Sequence, residues 1–393
     1  MQNTRGDSPN YLIIAGEASG DLHGSKLVSA LKVRLPKAHF TGMGGTRMQK
    51  AGVDTLFGIE RMGAVGIVEV LGDFDHYYKV YRTLMREIAS RRYDAVILID
   101  YPTLNLRLAK QGKRFNCPVF YFISPQVWAW RKGRIRDIRN AVKKMFVILP
   151  FEEKMYLDAG VDAEFLGHPF VDLVHPSRTR EESRKKYSLN PAIKTIGLVP
   201  GSRMNEVNSL LDVMIQAAQK IHSELGSCQF LLPVADSIDP DMVRQRLGAN
   251  PLGIQLIEGE PYDVMNSCDM LIIASGSATL EAGILGCPMV IIYKLNPLTY
   301  ILAKLLVNAP LVGLVNIVAE EEVVPELIQG KVTAENICTE VLAVLQAPEK
   351  EKAVRERLLK IKSTLGDPEV MKVVAKRIAD VMDKLSANEK TPI

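Results

Sequence analysis

Short, largely apolar segments alternate with amphipathic segments along almost the whole chain. The apolar segments of the first half are Tyr11–Ala15, Ala95–Ile99, Val119–Ile123 and Met145–Leu149. Those of the second half are Thr195–Val199, Gln229–Pro233, Ile254–Ile257, Met270–Ala274 and Met289–Tyr293. Strands that are apolar on both faces and are separated by helices are typical of a parallel sheet covered by helices on each side. The pattern therefore predicts an α/β fold of the doubly wound type.

The alternation lapses once, between residues 167 and 191, where three prolines and a run of charges indicate a linker. We expect two Rossmann-like domains of similar size that face a cleft, residues 1–176 and 177–348. The helical segment 349–393 is expected to pack back across both. Ligands of such folds bind outside the carboxyl ends of the strands.

Charge and composition disfavour a nucleic-acid-binding protein and a membrane-spanning protein. The net charge of +4 over 393 residues is too small for a general nucleic-acid binder. Residues 1–176 carry a net +7 and the remainder −3, which suggests different partners for the two halves. Five dispersed cysteines, and an N-terminus without an apolar signal core, favour a cytoplasmic protein. We find no uninterrupted apolar stretch of about 20 residues, so we expect membrane-surface contact at most.

Two strand ends of the first half carry candidate acceptor-site residues. The turn Gly16–Asp21 contains Glu17 and Ser19 before a helix, and its G-x-x-x-G spacing disfavours NAD binding, although simple helix capping is an alternative. Asp100 follows the strand Ala95–Ile99. Burial there would raise the pKa of its carboxyl group and suit a general base, whereas capping of the next helix is the alternative.

The segment SPQVWAWR contains both tryptophans of the chain. We interpret Gln126, Trp128 and Arg131 as a surface for a sugar or an acyl chain beside an anion, with interdomain packing as the alternative. Residues 110–144 hold ten basic residues and one acid, which favours an anionic substrate or lipid surface. The apolar run 62–71 is either core or membrane-facing; in the second case Val65, Ile67, Val68 and Leu71 would contact the membrane.

Two strand-to-helix turns of the second half predict a nucleotide site. One contains Gly201, Ser202 and Arg203, where backbone N–H groups, a helix dipole and a guanidinium would meet a diphosphate. The other contains Ser277, Ala278, Thr279 and Glu281, with the carboxylate available to ribose hydroxyls. The chain lacks the P-loop pattern and metal-ligand spacing, so we expect no metal and no cofactor. His168 suits either a hinge role or a structural one.

Taken together, the segments AGEASGDLHG, GMGG, LIDYPTLNLRLA, YFISPQVWAWR, LGHPFVD, LVPGSR and SGSATLE resemble the lipid-A-disaccharide synthase family from about residue 11 to about residue 385. The resemblance implies a GT-B fold and metal-independent, inverting transfer from UDP-2,3-diacylglucosamine to 2,3-diacylglucosamine 1-phosphate (lipid X). It implies that Asp100 is the base and that Arg203 neutralises charge on the departing UDP. It places Asn316 near the nucleotide, and it implies a peripheral location on the anionic inner face of the inner membrane.

This sequence departs from the family pattern around Asn316. Val315 stands where the family commonly has proline, and Glu320 and Glu321 stand where Gly-Arg is common. Any basic contact from that loop is in question for this chain. The nearest alternative is another GT-B enzyme acting on a UDP-amino sugar, such as a UDP-GlcNAc 2-epimerase or a peptidoglycan GlcNAc transferase. A nicotinamide-dependent oxidoreductase and a non-catalytic membrane scaffold are further alternatives, and a homodimer is left open.

Overall fold

The computed structural model describes residues 8–60, 62, 74–130, 133–296 and 311–389. The chain forms two compact units. The first consists of residues 1–169 and 366–393, and the second of residues 170–365. The chain thus leaves the first unit after Pro169 and returns to it at Gly366, whereas the sequence placed the boundary after residue 176 and a separate segment from residue 349.

The first unit is built on a seven-stranded parallel sheet with the strand order β3-β2-β1-β4-β5-β6-β7. Its strands are β1 Asn10–Ala15, β2 His39–Met43, β3 Asp54–Phe57, β4 Ala95–Ile99, β5 Val119–Phe122, β6 Lys144–Val147 and β7 Ala163–Phe165. Ala15 of β1 lies beside Ile99 of β4 in the register, so the residues that follow each strand emerge together at one edge. β1 is apolar after Asn10 and β4 is apolar throughout, which suits a centre that is buried on both faces.

Helices connect these strands. They are α1 Ala18–Arg34, α2 Thr46–Lys50, α3 Phe74–Ala89, α4 Pro102–Arg114, α5 Val127–Trp130, α6 Arg134–Ala141 and α7 Pro150–Asp158. The final helix of the chain, Val370–Glu389, also belongs to this unit and packs on α1. Arg377 of that helix donates from Nε to Oε1 of Glu164 at 2.8 Å, which ties the end of the chain to β7.

The second unit repeats the architecture with a six-stranded parallel sheet in the order β10-β9-β8-β11-β12-β13. Its strands are β8 Lys194–Val199, β9 Cys228–Val234, β10 Gln255–Glu258, β11 Met270–Ala274, β12 Met289–Tyr293 and β13 Glu326–Ile328. Val199 of β8 lies beside Ile273 of β11, so the turns after these two central strands are neighbours.

The helices of the second unit, within the described residues, continue the numbering. They are α8 Phe170–Leu173, α9 Arg180–Lys186, α10 Met204–Leu225, α11 Pro240–Leu247, α12 Pro261–Ser267, α13 Ser277–Ile284, α14 Leu314–Ala319, α15 Ala334–Leu345 and α16 Pro348–Thr364. The helix Val370–Glu389 becomes α17. The two parallel sheets with flanking helices confirm the predicted α/β doubly wound class.

The prediction of a linker for residues 167–191 was wrong, because much of this segment is folded into the second unit. It contains α8 and α9, and α9 packs on α12. Buried Asp263 accepts a hydrogen bond from Ser177 Oγ at 2.6 Å and another from Arg178 N at 3.0 Å. The Arg178 guanidinium also pairs with Glu260 at 3.1 Å and with Asp263 at 3.3 Å, so charge of this segment has acidic partners at the start of α12 and just before it.

Candidate active site

The carboxyl edge of the first sheet has an unusual backbone. Asp100 and Tyr101, directly after β4, have φ angles of 46° and 48°, and Ile123, directly after β5, has a φ of 65°. Left-handed conformations are costly for residues with a Cβ and are most costly for a β-branched residue. Such outliers persist where the surroundings impose them, and they concentrate at functional sites. The carboxyl edge of the first sheet therefore has a strained backbone that the surrounding structure maintains.

The Asp100 carboxyl group has a raised pKa. Burial, and to a smaller extent the negative charge of Glu17, raise it to about 6. Glu17 is the exposed N-cap residue of α1, and the register of β1 with β4 brings the two carboxylates to the same edge. A carboxylate with a pKa near 6 is still ionised at neutral pH and is a stronger base than an ordinary aspartate.

Close packing fixes the turn that carries Asp100. The ring of Tyr101 lies against Gly16 so closely that a Cβ on Gly16 would come within 2.3 Å of the ring. The hydroxyl group of Tyr101 donates to the Met62 carbonyl at 3.1 Å. Gly16 is thus required for a close approach of side chain to backbone. Ser19 is exposed beside Glu17 on the same turn, where it can meet a ligand.

Asp21, which the sequence offered as a possible cap of its own helix, contacts the start of a different helix. Its buried carboxylate accepts hydrogen bonds from the backbone N–H groups of Gly45 and Met48, at 2.8 and 3.0 Å. Those groups belong to the start of α2, so Asp21 caps α2 rather than its own helix. The first loop and the second glycine cluster are thereby joined into one piece of this edge.

The tryptophan segment is anchored by a residue that the sequence analysis missed. Trp128 Nε1 donates to Glu152 Oε1 at 3.1 Å, and the backbone N–H of Leu149 donates to Glu152 Oε2 at 3.2 Å. Glu152 is buried at the start of α7, and burial raises its pKa to about 7. The Tyr156 hydroxyl donates to the Pro125 carbonyl at 2.9 Å and holds the same segment. Acidic residues three positions into a helix resemble plain capping residues, so no sequence signal separated Glu152 from them.

The exposure of the predicted acceptor residues is uneven. Gln126 is exposed and Trp128 is half-buried. Arg131, Val65, Ile67, Val68 and Leu71 lie outside the described residues. His168 is buried, and burial together with His23 lowers its pKa to about 3, so it stays neutral. This setting favours the structural interpretation of His168.

In the second unit, the turn after β8 is occupied by a carboxylate. Gly201 adopts a φ of 112°, and the N–H groups of Ser202 and Arg203 both point to Glu206 Oε2, at 3.1 and 3.3 Å. Arg203 Nη1 donates to Glu206 Oε1 at 3.1 Å. A Cβ on Gly201 would approach Glu206 Oε2 to 2.2 Å, so only glycine leaves room for this arrangement. The anion that this turn holds in the structure is the carboxylate of the protein's own Glu206, and its contact with a diphosphate stays a prediction.

The turn after β11 lies beside it and opens α13. Ser277 is exposed at the first position of the helix and Ala278 is half-buried. Glu281 lies one turn later, and burial raises the pKa of its carboxyl group to about 7. Thr279 is buried, and its hydroxyl donates to the Gly276 carbonyl at 2.8 Å. In the structure, the Thr279 side chain shapes this turn. Its contact with a phosphate stays a prediction.

Asn316 is fully engaged inside the second unit. Its Nδ2 donates to the Val324 carbonyl and to Glu326 Oε1, at 2.8 and 2.9 Å, and its Oδ1 accepts from the N–H groups of Val323 and Val324. Glu326 also accepts from Gly313 N at 2.8 Å. In the structure, the side chain of Asn316 joins α14 to the loop before β13. Direct contact of Asn316 with the nucleotide stays a prediction.

The acidic replacement after Asn316 has a partner as well. Glu320 adopts a φ of 54°, and Glu321 pairs with Arg357 of α16 at 3.0 Å. Glu321 therefore faces a neighbouring helix in the place where the family pattern has a basic residue. Among the described residues, no group of three or more His, Cys, Asp or Glu side chains has an arrangement suited to a metal ion. None of the described helices is long and apolar enough to cross a bilayer.

Comparison with protein families identifies matching sequences over nearly the whole chain. A model described as lipid-A-disaccharide synthetase matches residues 11–377. The lipid-A-disaccharide synthase of Syntrophus aciditrophicus is 44% identical over 92% of this chain and 95% of its own length. That of Geobacter metallireducens is 42% identical over 96% of this chain and 99% of its own length.

Solved structures show the same fold at low sequence identity. The S. aureus MnaA–UDP co-structure has a TM-score of 0.66 and 11% identity, with 95% of this chain and 97% of that chain covered. CalG4, the calicheamicin glycosyltransferase, has a TM-score of 0.58 and 13% identity, with 95% and 98% covered. These similarities concern the fold and confirm the expected GT-B type.

Proposed function

Because the chain belongs to the lipid-A-disaccharide synthetase family, we propose a substrate pair and a mechanism for the glycosyltransferase reaction that forms the lipid A disaccharide. The donor is UDP-2,3-diacylglucosamine and the acceptor is 2,3-diacylglucosamine 1-phosphate. The products are the β-1,6-linked tetraacyl disaccharide 1-phosphate and UDP. The observation that carries the mechanism is Asp100, a carboxylate with a raised pKa on a strained turn at the centre of the first sheet.

The donor nucleotide binds the second unit in this proposal. Two adjacent helix N-termini, those of α10 and α13, present N–H groups and partial positive charge at the carboxyl edge of β8 and β11. Arg203 has a largely exposed side chain and carries the charge that stabilises the leaving diphosphate. Glu281, one turn into α13, accepts from the ribose hydroxyl groups. Gly201, Ser202, Ser277 and Ala278 line the turns.

The acceptor sugar binds the first unit. The ionised carboxylate of Asp100 takes the proton of the acceptor 6-hydroxyl group as its oxygen attacks the anomeric carbon of the donor. The bond between that carbon and the diphosphate oxygen breaks, and UDP leaves with the electron pair. Attack from the face opposite the leaving group inverts the anomeric centre, so an α-linked donor gives a β-linked product. Trp128, held by Glu152, offers a ring face to the sugar, while Gln126, Glu17 and Ser19 offer polar contacts.

We also propose a peripheral location on an anionic membrane surface, which the acylated substrates of this proposal and helix α3 support. This helix exposes Tyr78, Lys79, Arg82 and Arg86, and the Arg82 guanidinium lies 5.6 Å from the centre of the Tyr78 ring. An aromatic and basic face of this kind suits lipid headgroups. Replacing Val65, Ile67, Val68 and Leu71 with serine tests the apolar part; unchanged flotation with anionic vesicles would contradict its role.

The direct test of the substrate pair is turnover of the purified full-length protein in detergent, in the presence of EDTA. UDP-2,3-diacylglucosamine and lipid X are supplied, and disaccharide and UDP are followed by mass spectrometry. Formation of a β-1,6-linked disaccharide supports the proposal. Turnover of UDP-GlcNAc instead, with no disaccharide from the acylated pair, would favour the epimerase or peptidoglycan transferase alternative.

A further inference from the structure

The carbonyl oxygen of Asp100 receives two side-chain hydrogen bonds. Asn105 Nδ2 donates to it at 2.7 Å, and the Tyr121 hydroxyl group donates to it at 2.7 Å. The backbone N–H of Asp100 donates in turn to the Phe122 carbonyl at 2.9 Å. Both backbone polar groups of Asp100 are thus hydrogen-bonded. The N–H group is bound to β5, and the carbonyl group is bound to side chains of α4 and β5.

Neither donor side chain is available to a ligand. Asn105 and Tyr121 are both fully buried. The second Nδ2 proton of Asn105 goes to the Ile99 carbonyl at 3.1 Å, and the backbone N–H of Asn105 donates to the Tyr101 carbonyl in the first turn of α4. Asn105 therefore contacts the carbonyl groups of three successive residues, 99, 100 and 101.

These bonds oppose a real conformational cost. Two consecutive residues with a Cβ are held at positive φ, a sparsely populated backbone conformation that persists only where the surroundings impose it. Tyr101 also precedes Pro102, and a residue before proline is driven towards extended backbone. The packing of Tyr101 on Gly16 also holds this turn, but Asn105 and Tyr121 are the side chains that hydrogen-bond to the Asp100 carbonyl itself.

We propose that Asn105 and Tyr121 are positioning residues for the Asp100 base: by fixing the Asp100 carbonyl they maintain the left-handed turn that aims its carboxylate at the acceptor hydroxyl group. This inference rests on the proposed role of Asp100. It adds two buried residues that touch neither substrate. A displacement of the base by about 1 Å is enough to cost on the order of 100-fold in rate.

The first test uses Tyr121→Phe, which removes one hydroxyl group and keeps the ring, and Asn105→Leu, which removes the donor at similar volume. Both are assayed for kcat and KM with both substrates, and for UDP binding by calorimetry. We expect kcat to fall about 10-fold for Tyr121→Phe and about 100-fold for Asn105→Leu, with KM and UDP affinity within about 2-fold of the wild type. Tyr93→Phe is the matched control. Tyr93 is also a buried tyrosine with a hydrogen-bonded hydroxyl group, which donates to Glu87, but it precedes the first residue of β4, at the opposite end from Asp100. This variant should retain full kcat.

The second test separates positioning from general loosening of the fold. Tyr121→Phe is repeated in an Asp100→Ala background, and residual turnover is compared with Asp100→Ala alone. If Tyr121 acts through the Asp100 carboxylate, the second substitution has no further effect. A loss as large as in the wild-type background would overturn the proposal, as would unchanged kcat for Tyr121→Phe. This outcome is distinct from failure of the proposed function, in which Asp100→Ala alone would leave turnover intact.

Discussion

The Arg203 guanidinium group is paired with the Glu206 carboxylate, Nη1 to Oε1 at 3.1 Å, while the other carboxylate oxygen accepts from the backbone N–H of Ser202 and that of Arg203. Glu206 therefore uses the same guanidinium and N–H groups that we assign to the donor diphosphate. Binding of the diphosphate at this turn requires Glu206 to give up these contacts. Arg203 would then exchange its ion pair with the Glu206 carboxylate for an ion pair with the diphosphate of the substrate.

Glu206→Gln should therefore tighten UDP binding several-fold, because it removes a negative charge that competes for the same donors. Calorimetric titration of UDP at low and at moderate salt measures the effect, which should shrink as salt screens the charges. The control is Asp241→Asn, which removes an exposed carboxylate paired with Arg244 at the start of α11. Weaker UDP binding by Glu206→Gln would show that Glu206 supports the site rather than competing for it.

The rate should depend on pH through Asp100. Its pKa of about 6 means that kcat falls as the pH drops through that value, since only the ionised carboxylate accepts a proton. The negative charge of Glu17 contributes to the raised pKa, so Glu17→Gln should move the acidic limb of the kcat profile to lower pH. A limb that stays in place, or moves to higher pH, would contradict the coupling of these two carboxylates.

Glu152 should link stability to pH. Burial raises its folded-state pKa to about 7 from the ordinary 4.5, so its protonated form favours the folded protein. That contribution is complete below pH 4.5 and is lost as the pH rises through 7. Glu152→Gln should flatten the fall in melting temperature between pH 5 and pH 8 relative to the wild type, measured by calorimetry. Glu153→Gln, on the same turn, is the control; an unchanged pH slope in Glu152→Gln would contradict this account.

Asn316→Ala should act on stability. The substitution leaves the buried N–H groups of Val323 and Val324 without their acceptor and Glu326 without one donor, and such losses cost on the order of 1–3 kcal/mol each. We expect a reduced free energy of unfolding by urea titration, with Asn336→Ala on the exposed start of α15 nearly neutral. A stable variant that has lost UDP affinity would instead assign Asn316 to direct nucleotide contact.

The sequence predicted the fold class because nine of the strands are largely apolar runs, such as β4 and β11. It missed β3, β7 and β13, which are short edge strands with polar residues, such as Ala163–Phe165. It predicted which strand ends lie together, because the carboxyl ends of parallel neighbouring strands meet at one edge of a sheet; the functional roles of the residues there stay predictions. It could not predict that Asn105, Tyr121, Glu152 and Glu206 support those edges. Tyr121 and Glu152 contact residues that are distant in the sequence, and Asn105, Glu152 and Glu206 lie in the first turns of helices, where polar residues are common as caps.

In the proposed mechanism, Asp100 accepts the proton of the acceptor hydroxyl group. The most direct measurement is turnover of UDP-2,3-diacylglucosamine and lipid X by Asp100→Asn, alongside UDP affinity by calorimetry. Asp94→Asn, a carboxylate before the opposite end of the same strand, serves as control. The account predicts a loss of kcat of about 10²- to 10⁴-fold for Asp100→Asn, with UDP affinity unchanged and Asp94→Asn active. Turnover of Asp100→Asn within a few-fold of the wild type would contradict it.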